Sequence, residues 1–280
     1  SKFSPNPPLR AVMTTDSPIL VAPHPTLAGV ATLTLNRPKA LNALDTAMTK
    51  AFVPAVQQIA NDASIRVVIV QGAGDHFMAG GDIKDFSETL TVPGAERKQH
   101  FMEMIHFIHA GVELMQRMDV VTVAKVRGAC AGFGMSIAIG CDLTIASEDA
   151  YFATAYKAIG LTPDGGQSYF LPRLVGVKKA MELTLLSERI KAEDAARLGF
   201  VNKVVSGADL DASVDKIAQQ IARSARGSMA GIKRLVNTSM SNTLSTQLNA
   251  EAESFSSCAS KNDFAEGIRA FIEKRPAKFD

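Results

Sequence analysis

From Val30 to Leu35 the chain alternates apolar and polar side chains at period two, and Asn36-Arg37-Pro38 ends the alternation, which predicts a strand running into a turn. Asp45 stands where a helix N-cap is expected, and the spacing after it predicts a helix to about Ile59 with a kink at Pro54. Val67-Val68-Ile69-Val70 is an unbroken β-branched run, the pattern of a strand buried on both faces, and it delivers the chain into Gly72-Ala73-Gly74. A long helical pattern covers Arg97 to Arg117. Val120 to Val126 repeats the strand signal, Gly128 to Gly134 repeats the glycine turn, and Met135 to Gly140 reads as a short buried helix. Further short strands are expected over Asp142 to Ala146 and Tyr151 to Ala153, before a turn at Thr162-Pro163-Asp164-Gly165-Gly166 and another helix. Strand, glycine turn and helix recur, which predicts an α/β core. After Val205 the strand signal stops, and Leu210 to Ile272 is helical in pattern.

These boundaries divide the chain into an N-terminal arm over 1–18, a β/α core over 19–205 and a helical region over 206–280. The arm has four prolines and few charges, but neither an apolar core nor an Arg-rich pattern, so it reads as a loose segment rather than a signal or transit peptide. The run from Gly128 to Cys141 is shorter than the roughly 18 residues a membrane span requires, so no membrane partner is expected. Across 280 residues, 46% are apolar and 21% charged, which suffices for a sizeable core. A net charge of +2 carries no electrostatic footprint for nucleic acid. Cys130, Cys141 and Cys258 cannot all pair and lack Cys-x-x-Cys spacing, so no disulfide framework or zinc site is expected and a reducing, cytoplasmic compartment is the default.

Several motifs fail on inspection. Gly132-Phe133-Gly134 begins like a dinucleotide fingerprint, but Ile137 holds the third glycine position, and Gly72-Ala73-Gly74 fails likewise at Phe77. There is no Gly-x-Ser-x-Gly elbow and no P-loop. His106 and His109 lie three apart on the long helix without a nearby third ligand, so packing or solvation is the expected role and no metal is expected. The polar stretch Ser239 to Ser260 reads as a solvated helix face or an oligomer contact.

Three glycine-rich loops remain: Phe77 to Asp82, Gly128 to Gly134, and Pro163 to Gly166. Each follows a strand signal, and glycine lets backbone N–H groups approach a ligand closely. The second loop also opens a helix, whose N-terminal N–H groups favour negative charge, so Phe133 N–H and its neighbours are candidate oxyanion donors. Tight turns packing on a sheet would produce the same pattern.

The ordered set Leu33 to Pro38 with Asn42-Ala43-Leu44, then Ala79-Gly80-Gly81-Asp82, Ala131-Gly132-Phe133-Gly134, Cys141-Asp142, Phe152, Gly160 to Gly166 and Leu171-Pro172-Arg173 resembles the enoyl-CoA hydratase/isomerase (crotonase) superfamily. The resemblance implies a spiral of ββα units followed by a helical region that forms a homotrimer or a dimer of trimers. It implies an acyl-CoA substrate, with coenzyme A as part of that substrate and no separate cofactor, and an enolate held by the backbone N–H groups of Ala79 and Phe133. It also places coenzyme A along Lys39-Ala40-Leu41, Gly80-Gly81-Asp82, Ile83-Lys84 and Gly132, with Lys274, Arg275, Lys278 and Phe279 in a tail that approaches the nucleotide phosphates.

Hydratases of this family use two glutamates, whose positions here hold Ser136 and Tyr156. Asp164 is the acid that remains, in a Pro-Asp-Gly-Gly setting similar to that of family isomerases that move a double bond from C3 to C2 of an acyl-CoA or act on ring-derived CoA thioesters. Turn formation and helix capping are its ordinary alternatives. An aspartate here also resembles the nucleophile of aryl-CoA dehalogenases, but those place a tryptophan beside it and this chain has none. The expectation is therefore an isomerase with Asp164 as acid and base, a hydratase or a non-catalytic acyl-CoA binder being the alternatives. Phe101, Met104, Ile105 and Phe107 are expected either to line the acyl pocket or to pack as an amphipathic helix.

Overall fold

The computed structural model describes residues 16 to 279. Of the expected N-terminal arm, residues 1–15 lie outside the described residues. Its last residues are anchored rather than loose, because Pro18 O accepts the Asn36 N–H at 2.8 Å.

Two strands open the fold, β1 (Ile19–Pro23) and β2 (Val30–Leu35), paired antiparallel. Helix α1 (Thr46–Asn61) follows, its first turn capped by Asp45, which accepts the Met48 N–H at 2.8 Å; it runs on through Pro54. Next come β3 (Val67–Gly72), α2 (Ile83–Glu88), α3 (Gly94–Arg117), β4 (Val121–Val126), β5 (Ala129–Ala131) and α4 (Phe133–Gly140). The core is completed by β6 (Leu143–Ser147), β7 (Tyr151–Ala153), α5 (Gln167–Val175), α6 (Val177–Leu186), β8 (Ile190–Lys191), α7 (Ala192–Leu198) and β9 (Lys203–Val205). A main sheet of order β1-β2-β3-β4-β6-β9 is parallel beyond its first pair, and β5-β7-β8 form a second, smaller sheet.

The main sheet is buried on both sides, as the β-branched runs predict. Ala31, Leu33, Val68, Val70 and Ala124 face one apolar cluster, built with α1, α3 and α4. Their alternating neighbours Val30, Val67, Ile69, Val121 and Val123 face a second cluster, closed by Leu210, Val214 and Ala218. Each of the valine, leucine and isoleucine side chains among them contributes on the order of 1.5–3 kcal/mol by leaving water. The residues closing the second cluster belong to α8 (Leu210–Ala222), so the expected boundary at 205 is too early: α8 is a layer of the core. The outlying helices are α9 (Arg226–Ser239), α10 (Leu244–Ala259) and α11 (Asn262–Ile272).

One buried cation fastens α9 to the core. Lys233 Nζ donates to Met115 O at 2.7 Å and Val120 O at 2.8 Å, and lies 3.0 Å from Asp142 Oδ2. Asp142 Oδ2 also accepts the Thr122 N–H at 2.7 Å, so the charge is both paired and hydrogen-bonded. The three cysteines are free thiols. Among the described residues no helix is long and apolar enough to cross a membrane.

Candidate active site

The glycine loops meet at a cavity of about 540 Å³ whose wall includes Gly80, Gly81, Gly132, Phe133, Tyr156 and Asp164. Gly80 and Gly132 face one another backbone to backbone. A Cβ on Gly132 would lie 3.2 Å from Gly80 Cα, and one on Gly80 would lie 3.3 Å from Ala131 O, while both residues have positive φ. At either position a side chain would crowd the facing backbone, and both need a conformation that side chains resist. The third loop closes on the same place, since a Cβ on Gly165 would reach the Phe133 ring at 2.7 Å and Ser136 Cβ at 2.9 Å.

Arg37 ties the first loop to the start of α1. Its Nε lies 3.0 Å from Asp45 Oδ2 and its Nη2 lies 2.9 Å from Asp82 Oδ2, while Nη1 donates to Ala43 O. Asp82 Oδ1 in turn caps α2 by accepting the Lys84 and Asp85 N–H groups. Partial burial pushes the Asp82 carboxyl up, but the Arg37 guanidinium and these two N–H groups outweigh it and hold the group below its usual value. Asp82, expected to contact coenzyme A, is thus committed to holding the loop.

The expected oxyanion donors fare differently. Phe133 opens α4 on the cavity wall, where the first-turn N–H groups have no partner inside the helix. Ala79 also reaches the wall, but its N–H already donates to Leu41 O at 3.0 Å, directed there by the left-handed turn at Leu41. The N–H left facing the cavity in this loop is that of Gly81. Leu44 N–H donates to Gly80 O at 2.7 Å, and Asp82 N–H donates to Leu44 O at 2.9 Å. In that parallel bridge Gly81 is the residue whose own N–H points away from Leu44, and Gly81 lines the cavity.

Asp164 is the one carboxylate among the residues lining the cavity. Its Oδ1 accepts the Tyr156 hydroxyl at 2.6 Å, and its main-chain O accepts the Ser136 hydroxyl at 2.9 Å. Ser136 Oγ and Tyr156 Oη are themselves 3.2 Å apart. Burial pushes the Asp164 carboxyl above its usual value, opposed by the Tyr156 hydroxyl and by His109. Burial, then the neighbouring Asp164 charge, drives the Tyr156 phenol well above its usual value, so Tyr156 stays protonated. Asp164 does not cap α5 through its side chain: the N-cap is Gly166 and no side-chain cap bond is made.

His109, expected to pack or be solvated, instead lines the cavity and accepts the Gly165 N–H on Nε2 at 3.0 Å, which places the ring proton on Nδ1. Phe101, Met104 and Ile105 line the cavity as expected, with Phe86 edge-on to Phe101. Phe107 does not; it lies 43% exposed on the outer side of α3. Ile83 joins the wall, whereas Lys39, Ala40, Leu41 and Lys84 lie outside the lining. The tail is not brought to the cavity within this chain. Arg275 is held by Glu266 at 2.7 Å and Glu273 at 2.6 Å, Phe279 packs against Gly267, and Lys274 and Lys278 are exposed.

The arrangement can polarise a carbonyl with two main-chain N–H groups and move a proton with one carboxylate inside a largely apolar enclosure. Comparison with known proteins bears on that chemistry. The family model described as Enoyl-CoA hydratase/isomerase matches residues 26–280. A short-chain-enoyl-CoA hydratase of Clostridium acetobutylicum is 36% identical over 250 residues, covering 88% of this chain and 92% of the relative. A 1,2-epoxyphenylacetyl-CoA isomerase of Escherichia coli K12 is 33% identical over 251 residues, covering 90% of this chain and 95% of the relative. The crystal structure of an enoyl-CoA hydratase from Polaromonas sp. JS666 superposes with a TM-score of 0.86 at 33% identity, covering 94% of this chain and 99% of that one.

Proposed function

The chain belongs to the enoyl-CoA hydratase/isomerase family, with its crotonase-like fold, and from that membership we propose that it is an acyl-CoA thioester isomerase that moves a double bond from C3 to C2. The observation that carries this reading is that Asp164 stands as the lone carboxylate on a cavity wall shared with Gly81 and Phe133. The thioester oxygen accepts hydrogen bonds from the N–H groups of Gly81 and Phe133. Carbonyl polarisation acidifies the C2 proton, which Asp164 Oδ2 removes, and the electron pair spreads over a dienolate whose oxygen the same two N–H groups stabilise. The Asp164 carboxylic acid then returns the proton to C4, so one group serves as base and acid and no co-reactant is consumed.

A pushed-up carboxyl suits both roles, since it is the stronger base and still releases its proton to the dienolate. In this reading coenzyme A lies along Ile83-Lys84 and Lys39-Ala40-Leu41, with Ile83 on the cavity wall and the others outside its lining. Hydratases and isomerases both occur among the relatives. Hydration calls for a second carboxylate to manage water, whereas Ser136 and Tyr156 supply hydroxyls that bond the Asp164 residue. The exposed apolar side chains of α9 to α11, with Phe271 85% and Leu244 75% exposed, support assembly into a trimer.

The test is to offer the purified protein a 3-enoyl-CoA and a 2-enoyl-CoA in parallel. Growth of 2-enoyl thioester absorbance from the former, abolished in Asp164→Asn, supports isomerisation. Loss of that absorbance from the latter with a 3-hydroxyacyl product would replace the reading with hydration, and binding without turnover would replace it with a scaffold.

A further inference from the structure

We propose that Tyr156 is a positioning residue for Asp164, its hydroxyl occupying carboxylate oxygen Oδ1 so that Oδ2 is the single site from which the proton moves. The inference rests on the reading of Asp164 as acid and base, and deepens it. The hydroxyl lies 2.6 Å from Oδ1, in the range of a charge-assisted bond. Its direction is fixed: a carboxylate can only accept, and the phenol keeps its proton. Ser136 stands behind the pair, 3.2 Å from Tyr156 Oη and donating to Asp164 O at 2.9 Å, so the side chain and the backbone of Asp164 are both held from one side.

The aim of Tyr156 is built independently of Asp164. Ala155, just before it, sits at φ 64°, a left-handed conformation that residues with a Cβ resist. It persists because Ala155 N–H donates to Ser187 Oγ at 2.9 Å, while Thr154 Oγ1 donates to the same atom at 3.0 Å. Such over-determined strain marks a place where the backbone is held to direct a side chain. The turn at residues 156–159 thus presents the Tyr156 ring as cavity wall and its hydroxyl to Asp164.

With Oδ1 engaged by the Tyr156 hydroxyl, the reaction reduces to one proton on one oxygen. Oδ2 takes the C2 proton, carries it as a carboxylic acid, and delivers it to C4; the Tyr156 O–H bond is never broken. The titratable groups facing Asp164 are Tyr156, from this turn, and His109, from α3; α4 presents Ser136, and Gly165 and Gly166 lead into α5, which opens with Gln167, none of which titrates.

The chain has three tyrosines, Tyr151, Tyr156 and Tyr169, so labelling with 3-fluorotyrosine gives a resolvable fluorine spectrum without altering the fold. The resonance missing from Tyr156→Phe belongs to Tyr156. That resonance is expected to move with pH along one titration curve in the wild type and to lose the response in Asp164→Asn. In Tyr156→Phe the acid limb of kcat/KM for 3-enoyl-CoA is expected to move up by about one pH unit, because the bond that favoured the carboxylate is gone. Its kcat is expected to fall about tenfold above both midpoints, with KM held within about twofold. A Tyr156 signal flat across the acid-to-neutral range, or a response that persists in Asp164→Asn, or a Tyr156→Phe profile superimposable on the wild type, overturns the proposal. The fluorine measurement needs no turnover. A chain that isomerises no 3-enoyl-CoA while its Tyr156 signal follows Asp164 overturns the isomerase reading and upholds the pairing.

Discussion

His109 Nε2 accepts the amide N–H of Gly165 at 3.0 Å, so a side chain from α3 holds the residue next to Asp164 in the chain. The bond joins the helix that covers the acyl cavity to the loop that carries the base. His109→Leu removes the acceptor and leaves the Gly165 N–H without its partner. The expected result is a loss of about 1–3 kcal/mol in stability, read by thermal or denaturant unfolding. The kcat for 3-enoyl-CoA is expected to fall about tenfold as the base loses its fixed position.

Asp164→Asn is expected to lower kcat by about 10²–10⁴-fold while thioester binding, measured by calorimetry with a non-reactive acyl-CoA, survives. In the wild type, activity requires the carboxylate, so kcat/KM rises with pH through a midpoint above the ordinary aspartate value. The stability consequence has the opposite sign. The folded chain holds the Asp164 proton more tightly than the unfolded chain, so the stability this group contributes is present in acid and is lost as pH rises through its folded-state value. Asp164→Asn is therefore expected to match the wild type in acid and to melt at a higher temperature near neutrality.

Gly132→Ala tests the contact between the loops. At φ 53° the new methyl group is strained, and the atom it meets at 3.2 Å is Gly80 Cα, which is backbone and cannot swing aside. The two loops are pushed apart, and with them the N–H groups of Gly81 and Phe133. A loss of about 10²–10³ in kcat, of the size seen when one oxyanion donor is removed, is the expected outcome. An unchanged kcat would show that these two loops do not share the thioester oxygen.

Lys233→Met leaves Asp142 buried without its counter-charge and the carbonyls of Met115 and Val120 without their donor. The expected cost is about 3–5 kcal/mol in unfolding free energy, and adding Asp142→Asn is expected to recover part of it. Since the pair lies outside the cavity lining, any change in kinetics should trail the change in stability.

Much of this was readable before any coordinates. The alternation over Val30 to Leu35 and the unbroken run Val67 to Val70 are local signals, and both strands lie where those signals put them. The glycine loops were readable because the residue type is itself the signal, although the backbones and rings that crowd Gly80, Gly132 and Gly165 lie far along the chain. What eluded the sequence is set by distant pairings. That the Ala79 N–H is engaged and the Gly81 N–H faces the cavity depends on Leu41 and on a bridge to Leu44, and no spacing within Ala79-Gly80-Gly81 reveals which N–H faces inward. Strand β5 is three small residues long and exists because β7 pairs with it, so it carries no periodicity of its own. His109 and Phe107 sit on the same helix, and only the position of the Gly165 loop distinguishes the one that reaches the cavity. Nothing local marks Lys233, because its three oxygen partners come from residues more than ninety positions away.

The covering segment is fastened at both ends, by Asp82 where it leaves the first loop and by His109 where it meets the third. Between those anchors, Ile83, Phe86, Phe101, Met104 and Ile105 line the cavity, while Tyr156 and Asp164 reach it from a later stretch of the chain. Capacity and chemistry are thus inherited on separate stretches of polypeptide. Lengthening, shortening or repacking residues 83–108 would resize what the enzyme accepts, and the reaction performed on it would stay the same.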